Sequence, residues 1–340
     1  MGARFFRERA QMATLLRGRP NRDRTGAGRS GERQGRMTAE DNRIPARSQQ
    51  ADSLWFAIMP AAFVFFWATG FIGGKLGLPH SEPFTFLTIR FLIVVALLSA
   101  VALAMKAPWP KAADLPALAV GGILVHAGYL GCVFMAMTTG VEAGVASMIA
   151  GVQPVLTAAV AGPFLGERVS GRQWIGLALG FVGVALVVET KLAQGLGTPA
   201  GMAFAFLAAV TMTLGALWQK RFGGQMDLRT GSVAQFAAAA AVCAPIAIFV
   251  EGFRHEWTTD FTIAMAWLVV VLSVGTITIL HVLIRRGAAA KVASLFFLVP
   301  PATALIAYFM FGETLGPAAF AGMALIVVAV AMVTITPKRG

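Results

Sequence analysis

Long runs of this chain carry no charge at all, and short polar breaks separate them. Leu54–Gly74, Leu115–Val141, Ala143–Gly166, Gln194–Gln219, Thr230–Val250, Phe261–Ile284, Val292–Gly312 and Thr314–Pro337 are uninterrupted. Pro83–Met105 is broken once, by Arg90, and Gln173–Val188 is shorter but equally apolar. A run of about 20 apolar residues makes a helix of about 30 Å, the thickness of a bilayer's hydrocarbon core. The runs are rich in Ala, Leu, Gly and Met and do not alternate, which argues against strands. They predict an all-α integral membrane protein with ten transmembrane helices.

Those ten spans divide into two versions of one pattern, residues 54–190 and 199–337. At an offset of about 145 to 147 residues, Gly70 falls on Gly215, Lys75 on Lys220, Thr85 on Thr230, Phe91 on Phe236 and Gly128 on Gly275. Gly140 falls on Gly287, Val145-Ala146-Ser147 on Val292-Ala293-Ser294, Pro154 on Pro301, Gly166-Glu167 on Gly312-Glu313, and Gly176 on Gly322. Five crossings leave a chain on the opposite side, so the second copy enters the membrane inverted. Two inverted five-helix repeats are an architecture of secondary transporters, in which exchanging the conformations of the halves exchanges the open side.

Composition and charge sharpen this. The 340 residues are 57% hydrophobic and 13% charged, with a mean hydropathy of +0.72, outside the range of soluble domains. Lys and Arg alternate between crowded and sparse loops. One side holds Lys106, Lys111, Arg168, Arg172, Lys220, Arg221, Arg229, Arg285, Arg286, Lys291, Lys338 and Arg339; the other holds Lys75, Lys191 and Arg254. The positive-inside rule places the crowded loops and both termini in the cytoplasm, and the acidic loop Glu251–Asp260 outside. The expected location is a bacterial inner (plasma) membrane.

Residues 1–52 are different. They are rich in Arg and Gly and poor in apolar residues, and they supply half of the net charge of +12. Such a segment cannot build a core and is expected to be a disordered basic cytoplasmic tail, touching anionic lipid. It has neither the apolar core nor the cleavage site of a secretory signal. Met37 is an alternative start to Met1.

Motifs of soluble chemistry are missing from the sequence. There is no G-x-x-x-x-G-K-[ST], H-E-x-x-H or G-x-S-x-G, and no paired carboxylate within a span. Cys132 and Cys243 lack neighbours at metal or redox spacing and read as packing residues. The chain is therefore expected to be no enzyme and to hold no cofactor and no metal.

Polar groups inside the spans carry what chemistry there is, since each is costly in lipid and needs a cavity or a partner. Arg90 lies about 10 Å into its helix. It reads either as a cationic contact for an anionic substrate group, or as an arginine snorkelling to the interface or pairing with a helix end. In the repeat it falls on Gln235. His126 and Tyr129 share a face, three residues apart, and His126 falls on Ser273. His281 shares a face with Thr278. Either histidine has the chemistry to carry a coupling proton, or to sit neutral between helices. Trp67, which falls on Met212, and Gln153 lie mid-span; they read as a substrate platform and an amide needing a partner, or as packing. Pro154 and Pro300-Pro301 interrupt their helices at matching positions and point to a hinge near the midplane. The Gly-Glu pairs read as local punctuation, with Gly ending one helix and Glu opening the next. Gly176 and Gly180, with Ala318 and Gly322, read as tight helix packing.

These residues resemble a known family. Trp67-Ala-Thr-Gly70-Phe71-Ile-Gly-Gly-Lys75, Pro83-Phe84, Arg90-Phe91, Gln153-Pro154, Gly166-Glu167-Arg168 and Trp174-Ile-Gly176 leading to Gly183 form the first copy. Pro300-Pro301, Gly312-Glu313 and Gly322 repeat its closing part. The chain looks like an EamA-type transporter of the drug/metabolite transporter superfamily, from about residue 54 to 337. The resemblance implies ten helices with cytoplasmic termini, a central cavity, peripheral fifth and tenth helices, and export of small metabolites such as amino acids.

The combined expectation is a secondary-active exporter of a small polar or amphipathic metabolite, working by alternating access. Its partners are a small-molecule substrate, membrane lipid and a coupling proton, with no nucleic acid, and its state is a monomer or homodimer. The alternatives are a ligand-binding membrane sensor or accessory subunit, and a lipid flippase.

Overall fold

In a computed structural model, residues 46–165, 170–222, 227–276, 279, 283 and 295–334 are described. The chain divides into two units, Met1–Gln50 and Ala51–Gly340. Of the first, only the start of a helix, residues 46–50, falls among the described residues; residues 1–45 of the N-terminal tail lie outside them, as do Gly166-Glu167, Gly287 and His281.

The second unit is helical. The helices in chain order are α1 (Ala46–Gly77), whose first five residues belong to the first unit, α2 (Pro83–Ala104), α3 (Leu115–Gly122), α4 (Tyr129–Thr138), α5 (Ala143–Ala150), α6 (Gln153–Leu165) and α7 (Gly171–Ala193). Then come α8 (Pro199–Phe222), α9 (Leu228–Phe249), α10 (Thr259–Ala266), α11 (Val299–Phe311) and α12 (Pro317–Thr334). Among the described residues, seven helical stretches are long and apolar enough to cross a bilayer. Three more apolar helices, Ala143–Thr157, Val299–Phe311 and Pro317–Met332, are shorter.

Two stretches are continuous although their geometry changes. α3 passes into α4 through a π-helical turn, Ile123–Gly128. α10 runs on into a π-helical segment, Trp267–Thr276. π-Bulges cost backbone stability and concentrate at functional positions. His126 lies in the first and Ser273 in the second.

α5 and α6 are separated at Gly151-Val152. Pro154 follows just inside α6, where its ring would clash with the carbonyl four residues back and it offers no N–H. The chain therefore breaks three residues before the proline, not at it. Pro300 and Pro301 sit in the first turn of α11, after a 3₁₀ turn at Phe296–Leu298. A Cβ on Gly151 would lie 2.8 Å from Cγ of Pro300, so the two interruptions touch. Pro60 and Pro245, by contrast, lie within α1 and α9 without ending them.

Side chains of one helix bind the start or end of another. Glu251, after α9, accepts from the backbone N–H of Phe84 and Thr85 and from the Thr85 hydroxyl, at 2.7 to 2.9 Å. At the opposite end of the same helix pair, Thr230 donates to the Pro108 carbonyl at 2.7 Å. α2 and α9 thus run antiparallel, each tied to the loop that follows the other. α7 and α12 also lie along each other; a Cβ on Gly183 would be 2.7 Å from the Gly322 carbonyl oxygen. Gly322 is in that contact as the small-residue pattern predicts, but its nearest partner is Gly183, while Gly180 faces Val152 and Ala329.

The core is built from Phe63, Phe86, Phe91, Phe134, Phe236 and Phe261 with small residues between them. Large apolar side chains also face outward, among them Leu92, Leu103, Trp174, Phe249, Phe309 and Phe320. A soluble protein rarely exposes so much contiguous apolar surface; a bilayer solvates it.

Candidate functional site

Two adjoining cavities occupy the middle of the bundle. The first offers about 90 Å³ to the centres of water-sized molecules and the second about 40 Å³. Trp67, Phe71, Tyr129 and Met212 line both. Arg90, His126 and Ser273 form the polar end of the first, beside Phe236. Gln153, Pro154 and Pro300 line the second, where the helix interruptions meet.

Arg90 is only 4% exposed, deep within α2. That burial is incompatible with snorkelling to a water interface. Its Nη2 donates to the Ser273 hydroxyl at 3.2 Å. Among the described residues its Nε–H has no partner, which is costly for a buried charged group. Ser273 in turn donates to the Leu268 carbonyl at 3.1 Å, a bond that the π-helical geometry of its segment makes available.

His126 stacks on Phe236, with ring centroids 4.0 Å apart and planes 19° from parallel. Its ring meets the Gln235 side chain. Arg90 and Gln235 occupy equivalent places in the repeated pattern, as do His126 and Ser273. The two polar contacts therefore cross between α2 and the second π segment, and between α9 and the first. Phe91 and Phe236, also equivalent, lie 5.6 Å apart.

Trp67 is wedged between Phe63 and Phe296, at 5.4 and 4.9 Å between ring centroids. Its equivalent, Met212, lies on the same cavities. Gln153 donates to the Thr157 hydroxyl at 2.9 Å, so its amide has a local partner within α6. Thr213 donates to the Gln153 carbonyl, tying α8 to the interrupted turn. Trp67, Arg90, His126, Tyr129, Gln153, Pro154 and Pro300 thus come together around the cavities, whereas Pro301 does not line them and His281 is outside the described residues. Met212, Phe236, Leu272 and Ser273 escape a reading of the sequence, because nothing in an apolar run marks which of its faces is turned inward.

One end of the bundle is held by ion pairs. Glu313 accepts from the backbone N–H of Ala143 and Gly144 at 2.9 and 3.0 Å and pairs with Lys75. Lys191 is fully buried and donates to Glu142 at 2.6 Å and to the Thr314 carbonyl at 2.7 Å. Arg254 pairs with Glu82 at 3.0 Å. Lys75, Lys191 and Arg254 are the three cations of the sparse loops, and each has a carboxylate partner. The expectation for Glu313 as local punctuation needs correction. Gly312 does end α11 in left-handed geometry, at φ +67°. Glu313, however, caps α5, distant in sequence, and not the helix that follows it, because α5 presents two free N–H groups there. Among the described residues no group of three or more His, Cys, Asp or Glu side chains is placed to hold a metal ion.

The chain is similar to known proteins. The model of the EamA-like transporter family matches residues 54–189 and again 199–335, so the chain belongs to that family and is a multi-pass membrane protein. It is 28% identical to the uncharacterized transporter YvbV of Bacillus subtilis, over 83% of this chain and 92% of that one. It is 27% identical to a probable amino-acid metabolite efflux pump of Salmonella typhimurium, over 77% and 89%. A probable terminal-alkyne amino-acid exporter of Streptantibioticus cattleyicolor is 25% identical over 76% and 86%. A protein of known crystal structure superposes with a TM-score of 0.58 at 21% identity, covering 82% of this chain and 95% of that one, a likeness of fold.

Proposed function

We propose that the protein is a secondary-active exporter of a small, amino-acid-like or amphipathic metabolite, working by alternating access about the two central cavities. The observation that carries this reading is the cavity lining. Trp67 and Met212, and His126 and Ser273, are equivalent positions of the two copies, and both members of each pair face one cavity. A site shared between repeats is where rocking one repeat against the other changes access. The crossed ties of α2 and α9, which run antiparallel, support inverted five-helix repeats, residues 54–190 and 199–337.

The seven long helices and the three shorter apolar ones support a reading of ten spans. The interruptions at Gly151 and Pro300 are the hinge on this reading, since proline-freed backbone flexes where a continuous helix does not. The distribution of Lys and Arg supports both termini in the cytoplasm of a bacterial inner membrane. Of the two histidines offered for a coupling proton, His126 and His281, His126 lines the first cavity. Export of amino-acid-like compounds is favoured by what two of the relatives are named for.

The test is metabolite profiling of the medium and the cell with the protein overexpressed and deleted. Accumulation outside on overexpression and inside on deletion supports export. An unchanged medium, with an unchanged cell interior, favours a ligand-binding sensor or accessory subunit.

A further inference from the structure

We infer that the first cavity recognises its ligand through a carboxylate held on Arg90, with the apolar body of the ligand against Trp67, Phe71 and Phe134. This rests on the transporter reading and adds the substrate class. Arg90 is buried, its Nε–H lacks a partner among the described residues, and it lines the cavity. A guanidinium in that position is desolvated, so an arriving anion gains a charge-assisted bond that water does not contest. Ser273 occupies only Nη2, at 3.2 Å, and holds the fork in one orientation with Nε unused.

The rest of the lining fixes the other half of the molecule. Phe71, Leu130, Val133, Phe134 and Leu272 are apolar, and Trp67 gives a flat face. Among the described lining residues of both cavities there is no Asp or Glu. One cation in an apolar chamber matches a monoanion with a hydrophobic body. A cationic amphiphile would meet Arg90 as a like charge, and a neutral molecule would leave Nε unmet.

The experiment is calorimetric titration of the full chain in lipid nanodiscs with phenylacetate, phenylalanine, phenylacetamide and phenethylamine, which share a ring and differ in charge. Phenylacetate is expected to bind at least about tenfold more tightly than phenylacetamide, phenylalanine more weakly than phenylacetate because its ammonium meets no carboxylate among the described lining residues, and phenethylamine weakest. Arg90→Gln should bring phenylacetate down to the level of the amide and leave the amide unchanged; Arg90→Lys should restore part of the difference, since Lys lacks the planar fork. The assignment is overturned if the wild type binds none of the four, or binds the amide or the amine as tightly as phenylacetate. It is also overturned if the preference survives in Arg90→Gln. The wild-type comparison decides even if that variant does not fold. Binding is measured without translocation, so loss of the carboxylate preference leaves export to the profiling experiment. Failure of export with the preference intact leaves a carboxylate-binding membrane protein.

Discussion

Arg90 and Ser273 are 183 residues apart in the chain and share a hydrogen bond of 3.2 Å in the middle of the bundle. The bond matters because each residue stands where the other copy of the pattern holds a partner of the neighbouring contact, Gln235 for Arg90 and His126 for Ser273. Removing Ser273 should therefore be felt through Arg90. Ser273→Ala leaves a buried guanidinium with a second unpaired donor and should cost about 1–3 kcal/mol, read as a lower thermal unfolding temperature in detergent. Ser273→Thr keeps the acceptor and should cost less. An alanine variant as stable as the wild type would show that the bond is not holding Arg90.

Glu313 joins three elements at once: the start of α5, Lys75 at the end of α1, and the end of α11. Glu313→Ala should destabilise by about 1–3 kcal/mol, as loss of a buried charged acceptor does. Glu313→Gln should cost less, because an amide oxygen still accepts from one N–H. The check is unfolding of both variants side by side. Equal stability of the alanine variant and the wild type would contradict the cap.

Asp227 caps α9 and is bound at both carboxylate oxygens by Arg229, at 2.8 and 3.0 Å. The Arg229 side chain, chiefly by hydrogen bonding, pulls its pKa down to about 2. A depressed carboxylate stabilises the fold above its unfolded value, about 3.9, and loses that contribution as pH falls towards the folded one. Asp227→Ala should cost about 0.5–2 kcal/mol at neutral pH. The difference from wild type should stay constant from pH 8 to about 5 and shrink below about 4. A difference that grows on acidification would have the wrong sign for this account.

Reporter fusions test the ten spans. A periplasm-active reporter should work after Pro79, Gly140, Gly195, His255 and Gly316, and fail after Lys111, Arg172, Gln225 and Gly287 and at the C-terminus. The structure ties several of the first set together: Glu82 bonds Arg254, Ser81 pairs with His255, and Lys191 reaches Glu142 and Thr314. A reporter active in the cytoplasm at His255 would break the orientation.

Much of this was legible in the sequence because lipid makes polarity conspicuous. Arg90, His126, Tyr129 and Gln153 stand out in apolar runs for their cost, and they surround one pair of cavities. Trp67 stands out as a mid-span aromatic, and Pro154 and Pro300 as helix interruptions at the closing part of each copy. What stayed hidden depends on contacts between distant helices. Ser273 looks like any small polar residue until the π segment turns it towards Arg90. Glu313 looks like a local cap until α5 presents its N–H groups. The same physics hides Met212, whose side chain gives no sign of which way it faces. Pro60 and Pro245 show the converse: each lies within a helix that continues through it.

The central claim is that the cavity opens alternately to the two sides of the membrane. Met212, which lines both cavities, is the place to ask. With Cys132 and Cys243 replaced by alanine, Met212→Cys is offered a membrane-impermeant maleimide from each face of oriented vesicles. Labelling from both faces is predicted, with the Lys75→Met variant, which breaks the pair with Glu313, reacting faster from the face that bears that pair. Labelling from one face alone, in both backgrounds, would contradict alternating access.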